Sequence, residues 1–246
     1  MCNIILYKEK EIKGKNMEVY QIRMKVYLLE DIPVNSVQTR ITDFIDRAFL
    51  KKRELSVLHE VNTYKNYCYD LLYPVEADKI YKKGNIYTLT IRTIDKNMAD
   101  FFQQICVNTY TRYIKGLNVD FRILPKKIIE FIYTLTPLIV KDERGYWRSV
   151  MSEEEFARRI RINLANKWNS FNNDNIDENF QLYTTMEFLN KVPISIEYKN
   201  VKLLGDKIRL SVADNEIAQK MAYMSLGTGL GEMNSRGAGF VNYRWL

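Results

Sequence analysis

The chain has 246 residues, 46% of them hydrophobic and 27% charged, which supports a folded core in one large domain or two small ones and excludes a disordered chain. Lys and Arg number 37 against 30 Asp and Glu, a formal charge of +7 that suits a polyanionic partner, nucleic acid before an acidic membrane. No apolar run approaches the roughly 20 residues needed to cross a bilayer and the amino end lacks a secretory cleavage pattern, so the expectation is a cytoplasmic protein with no membrane partner.

Residues 1–16 (MCNIILYKEKEIKGKN) show no clear pattern and read as an N-terminal extension. From Tyr20 to Leu28 apolar residues alternate with Gln21, Arg23 and Lys25, the period of a half-buried strand. Val37, Ile41, Phe44, Ile45, Ala48 and Phe49 then fall at helical spacing. Strands are expected at Tyr67–Tyr73 and Ile86–Ile94, a helix at Asn97–Val107 and a strand at Leu117–Leu124.

The second half repeats this order. Lys127–Val140 reads as a long strand and Ser152 to about Trp168 as a helix opened by a capping box of Ser152 and Glu155. The Asn-rich stretch Asn169–Asn179 reads as a loop, and Ile194–Tyr198 with Lys207–Val212 as a strand pair joined near Gly205-Asp206. Asp214 can cap a helix carrying Ile217, Met221 and Met224, ahead of a terminal strand Phe240–Trp245. Strand, helix, two strands, helix, strand, given twice, predicts an α+β protein of two tandem ferredoxin-like (RRM-like) domains, residues 17–125 and 126–246.

Five of the ten glycines fall between Gly227 and Gly239, just before the terminal strand. Without a Cβ such a segment can turn sharply and bring amide donors close to phosphates, or to other main chain as a tight structural turn. The loop lacks the lysine of a phosphate-binding P-loop, and it follows a helix and precedes a strand, opposite to a dinucleotide fingerprint. Arg144, Tyr146, Trp147 and Arg148, followed by Arg158, Arg159 and Arg161, alternate basic with aromatic groups. They could pair with phosphates and stack on bases, or form a solvated helix face balancing Glu153–Glu155. Cys2, Cys68 and Cys106 are too few and too scattered for a disulfide framework or a zinc knuckle, and one histidine, His59, makes no His-based zinc site. No metal and no cofactor are expected.

Gly229-Leu230-Gly231, five residues, then Gly237-Ala238-Gly239-Phe240-Val241 resembles the C-terminal glycine-rich loop of the repeat-associated RNA-binding superfamily. The Asn234-Ser235 pair and the terminal position most resemble the CRISPR repeat-processing endoribonucleases, the sixth numbered family of Cas proteins. The resemblance spans Met17 to Leu246 and implies two ferredoxin-like domains that bind CRISPR repeat RNA. Gly229, Gly231, Asn234, Ser235, Arg236, Gly237 and Gly239, with Arg148, Arg158 and Arg159, are the candidate RNA-binding residues.

The family places a histidine after the first helix, then a lysine and an aromatic strand, and His59 with Lys65 resembles that pair. Histidine can move a proton near neutrality, and a lysine can steady charge on a phosphorane-like transition state. Some relatives add a tyrosine on the first helix; none stands there in this chain, so Tyr64 or Tyr67 would supply any hydroxyl required. The implied activity is metal-independent cleavage of precursor guide RNA by 2′-hydroxyl attack, leaving 5′-hydroxyl and 2′,3′-cyclic phosphate ends. The alternative is a non-catalytic guide-RNA-binding subunit of an interference complex. Assembly with other Cas proteins and a homodimer are left open.

Overall fold

The computed structural model describes residues 17–51, 63–198 and 201–246. The alternating segment at the head of the chain forms β1 (Tyr20–Leu28), which buries Ile22, Met24, Val26 and Leu28 and leaves Arg23 and Lys25 exposed on the other face. A short β2 (Ile32–Pro33) precedes α1 (Val37–Phe49), whose apolar stripe of Ile41, Phe44, Ile45 and Phe49 is buried against the sheet. Phe44 is fully enclosed, and its truncation to alanine would cost about 3 kcal/mol or more.

After α1 come β3 (Tyr67–Tyr69), β4 (Ile80–Tyr81), β5 (Ile86–Thr93), α2 (Lys96–Ile105) and β6 (Ile114–Ile123). Asp95 caps α2, its side chain accepting from Asn97 N and Met98 N. The main sheet of this half is antiparallel, with strand order β3-β5-β1-β6. That is the order of a ferredoxin-like domain, in which the first and third strands are central. Gly116 on β6 lies so close to the end of α2 that a Cβ there would stand 2.0 Å from the Cys106 carbonyl oxygen.

The second half contains β7 (Ile129–Thr134), α3 (Trp147–Val150), α4 (Glu153–Asn172), β8 (Tyr183–Phe188), β9 (Ile194–Tyr198), β10 (Val201–Gly205), β11 (Ile208–Val212), α5 (Glu216–Thr228) and β12 (Val241–Trp245). Its sheet runs β12-β7-β11-β8, which repeats the order of the first half. The serine half of the expected capping box forms, Ser152 Oγ accepting from Glu155 N at 3.1 Å, while the Glu155 carboxylate is turned to Arg158. A second core, built on Trp147, Phe156, Ile160, Leu164 and Trp168, fills the space between this sheet and its helices. Among the described residues no helix is long and apolar enough to cross a membrane.

Several expectations are corrected. The long strand expected to Val140 ends at Thr134; Pro137, which has no amide hydrogen for a ladder, follows shortly after. Ile194–Tyr198 does not pair with Lys207–Val212: it forms a separate hairpin with Val201–Gly205, while β11 pairs with β7 and with β8, a strand the sequence reading missed. Helix α4 runs through Asn172 into the stretch read as a loop, since Trp168 buries against the core and carries the helix onward. The cap of α5 is Asn215, whose side chain accepts from Ala218 N, not Asp214.

Buried contacts join the halves. Arg92 on β5 donates to Gln21 Oε1 at 2.9 Å and to the Val241 carbonyl of β12 at 2.6 Å, with its guanidinium over the Phe240 ring. Tyr223 on α5 donates to the Leu124 carbonyl at 2.7 Å and accepts from Val19 N at 3.2 Å. These bonds tie α5 and β12 to the first sheet, and on the β3 edge Cys68 Sγ donates to the Leu226 carbonyl of α5 at 3.7 Å.

Candidate nucleic-acid interface

At that edge a cleft of about 670 Å³ opens between the two halves. One wall is the segment Thr63–Tyr67, which leads into β3, and a second is one face of α4, where Arg159, Asn163 and Lys167 recur every four residues. The glycine-rich loop forms the third, through Gly231 to Arg236. Lys141 adds a further cation to the lining.

The loop takes its shape from backbone that only glycine adopts readily. Gly229, Gly231, Gly237 and Gly239 all have positive φ, and a Cβ on Gly239 would stand 2.0 Å from the Leu230 carbonyl oxygen. The loop then closes on itself and on the segment that follows β7: Leu230 N donates to Gly239 O, Gly239 N to Pro137 O and Glu232 N to Ile139 O, at 2.8–2.9 Å. Asn234 is buried within it, its Nδ2 donating to the Leu230 and Ala238 carbonyls.

Beneath the loop lies Lys167, only 4% exposed. Its Nζ donates to Gly229 O at 2.9 Å, Gly231 O at 3.1 Å and Asn234 Oδ1 at 2.7 Å. Burial draws its pKa down to about 7. From the other side the loop is pinned to α1 and β3: Arg236 Nη1 donates to both oxygens of Asp46, Gln38 Nε2 to the Arg236 carbonyl, and the Tyr67 hydroxyl to the Ser235 carbonyl at 3.4 Å.

The candidate catalytic residues are distributed unequally. Lys65 lines the cleft, and its pKa is lowered by partial burial and then by the nearby Arg236 charge. Tyr64 lines it too, 38% exposed, its pKa raised by burial against a hydrogen bond to Asn166 that acts the other way. Tyr67 is buried, with its hydroxyl directed at the loop, and burial raises its pKa strongly, so it is a structural donor near neutral pH. His59 lies outside the described residues; in sequence it stands four residues before Thr63, a cleft residue.

Among the candidate RNA-binding residues, Gly231, Asn234, Ser235, Arg236 and Arg159 reach the cleft, whereas Gly229, Gly237, Gly239, Arg148 and Arg158 do not line it. The amides of Gly229, Gly237 and Gly239 donate to main-chain carbonyls of Ser225, Asn234 and Pro137. Arg148 lies over Trp147 and Phe188 and reaches the buried Asp206 at 3.3 Å, and Arg158 is paired with Glu155 and Glu178. Arg159 donates to the Lys141 carbonyl at 2.8 Å and lies 3.8 Å from Glu232.

Sequence reading missed Lys141, Asn163, Asn166 and Lys167. The four-residue spacing of Arg159, Asn163 and Lys167 is the signal that could have revealed the α4 residues as one helix face; Lys141, in the segment after β7, carries no such signal. Among the described residues no group of three His, Cys, Asp or Glu side chains is gathered as metal ligands would be.

Residues 122–243 match the sequence family described as "CRISPR associated protein Cas6, C-terminal". Among solved structures, one titled "CRISPR associated protein Cas6" superposes with a TM-score of 0.68 at 19% identity, over 92% of this chain and 100% of its own. A Cas6-related protein from Pyrococcus furiosus gives a TM-score of 0.63 at 18% identity, over 92% and 98%. A structure titled "An RAMP protein binding different RNA substrates" gives 0.66 at 14%, over 92% and 99%. At these identities the likeness shows the fold, two tandem ferredoxin-like domains. No curated protein matches the chain.

Proposed function

We propose that this chain, whose C-terminal half carries the Cas6 family pattern, binds CRISPR repeat RNA in the cleft and cuts it as a metal-independent endoribonuclease. The observation that carries the reading is the convergence of Lys65 and Tyr64 with Ser235 and Arg236, from opposite ends of the sequence, on one cation-lined cleft. A cleft with Lys65, Lys141, Arg159 and Arg236 in its walls presents several positive charges to a phosphate backbone; among the described residues Glu232 is the one acidic side chain lining it, and Asp46 pairs with Arg236 from behind.

In the reaction the 2′-hydroxyl of the nucleotide before the cut attacks the adjacent phosphorus. The new 2′-oxygen–phosphorus bond forms as the bond to the 5′-oxygen of the next nucleotide breaks. His59 moves the proton, as base toward the 2′-hydroxyl or as acid toward the departing 5′-oxygen, and Lys65 steadies the added negative charge. Of the two tyrosines, Tyr64, exposed at the cleft, is the one whose hydroxyl can assist, and Tyr67 holds the loop.

The test is incubation of the purified protein with a synthetic RNA of the repeat encoded in the array nearest its gene, with and without chelator. Expected are a 5′-hydroxyl and a 2′,3′-cyclic phosphate whether or not chelator is present, and no cut when the nucleotide before the scissile phosphate is 2′-deoxy. Cleavage that chelator abolishes and that leaves a 3′-hydroxyl would overturn the mechanism.

A further inference from the structure

The three partners of Lys167 are all neutral carbonyl oxygens. Among the described residues the ionisable groups that act on it are Cys68, on β3, whose thiol burial pushes up to about 12 and so keeps uncharged near neutrality, and Glu232, on the loop. Three acceptors at 2.7–3.1 Å match the three N–H bonds of an ammonium. A neutral amine has two N–H bonds and a lone pair, which would face one of those oxygens. The loop shape seen here therefore calls for the proton.

That proton is held weakly, since burial brings the pKa of Lys167 to about 7. Lys167 also lines the cleft, so a polyanion bound there would favour its charged form. We propose that Lys167 is a positioning residue that couples RNA binding to uptake of a proton: its ammonium gathers Gly229, Gly231 and Asn234, and so holds Ser235 and Arg236 at the cleft wall. The inference rests on the reading that the cleft binds repeat RNA.

The experiment is calorimetric titration of the protein with the same repeat RNA, blocked by a 2′-deoxy nucleotide at the cut, at several pH values and in two buffers of different protonation enthalpy. It is done in the His59→Ala background, which removes the only histidine as a competing site of proton uptake. Expected are uptake of up to about one proton per RNA and an affinity that falls about tenfold per pH unit above the midpoint. Lys167→Met should bind weakly at every pH without uptake. Lys167→Arg keeps a charge that does not titrate, so it should bind with a flat pH profile and no uptake. Should the methionine variant fail to fold, as circular dichroism would show, the arginine variant decides. RNA binding without proton uptake, or uptake unchanged in Lys167→Arg, overturns the coupling while leaving the RNA-binding reading intact. Absence of RNA binding at any pH defeats that reading, and this inference with it.

Discussion

Arg236 and Asp46 stand 190 residues apart in sequence and meet in a two-pronged ion pair, Nη1 lying 2.9 and 2.7 Å from the two carboxylate oxygens. The pair ties the glycine-rich loop of the second half to the first helix of the first. Because Asp46 is 39% exposed, the pair is worth about 1 kcal/mol after solvent screening. Arg236→Ala and Asp46→Ala should each lower stability by about that amount, and the double variant by less than the sum, in denaturant melts followed by circular dichroism. Strict additivity would show that the two side chains do not stabilise one another.

Gly239 offers a harsher test of the loop. Valine there would carry a Cβ into the Leu230 carbonyl at a φ of +62°, so Gly239→Val should cost about 3 kcal/mol and weaken RNA binding together with it. Thermal melts and filter binding read the two effects. Normal stability with normal affinity would make the glycine incidental.

Arg158 and Arg159 are neighbours on α4 with opposite expected effects. Glu155 and Glu178 already engage Arg158, whereas Arg159 lines the cleft. Arg159→Ala should reduce the slope of log affinity against log salt by about one, and Arg158→Ala should leave it unchanged. The reverse pattern would move the RNA path to the other side of α4.

His59→Ala should slow cleavage by about 10²- to 10⁴-fold with little change in affinity, the range for one positioned acid or base. Lys65→Ala should also slow the chemical step, measured under single turnover. Full activity in His59→Ala would transfer proton movement to Tyr64 or Lys65.

Asp206 is fully buried, and burial by itself raises its pKa; hydrogen bonds from Tyr146, Trp147, Asn190 and Arg148 outweigh this and hold it below the ordinary value. A carboxylate with a depressed folded pKa stabilises above its unfolded value, near pH 4, and that contribution is lost as pH falls through the folded value. Asp206→Ala should cost about 3 kcal/mol at pH 7, and the difference from wild type should shrink in melts below about pH 4. A penalty as large at pH 2.5 as at pH 7 would show that packing, not charge, is what the substitution removes.

The sequence by itself determined the order of strands and helices in the first half and the helices and outer strands of the second, where it took Ile194–Tyr198 for the strand that β8 supplies. Period-two and helical spacing are local, and β1, α1, β5 and the Ser152 cap follow from residues within a turn or two of one another. The glycine density and its likeness to a known loop were equally legible. Only the tertiary structure decided which strands pair: Ile194–Tyr198 has the composition of a strand with no mark of its partner, and its ladder runs to Val201–Gly205. The same holds for the site. Nothing local to Lys167 announces that its ammonium sits beneath Gly229 and Gly231, nor does anything near Arg148 foretell its bond to Asp206. Those partners lie about 60 residues away, and burial assigned the two cations their roles, one inside the loop and one away from the cleft.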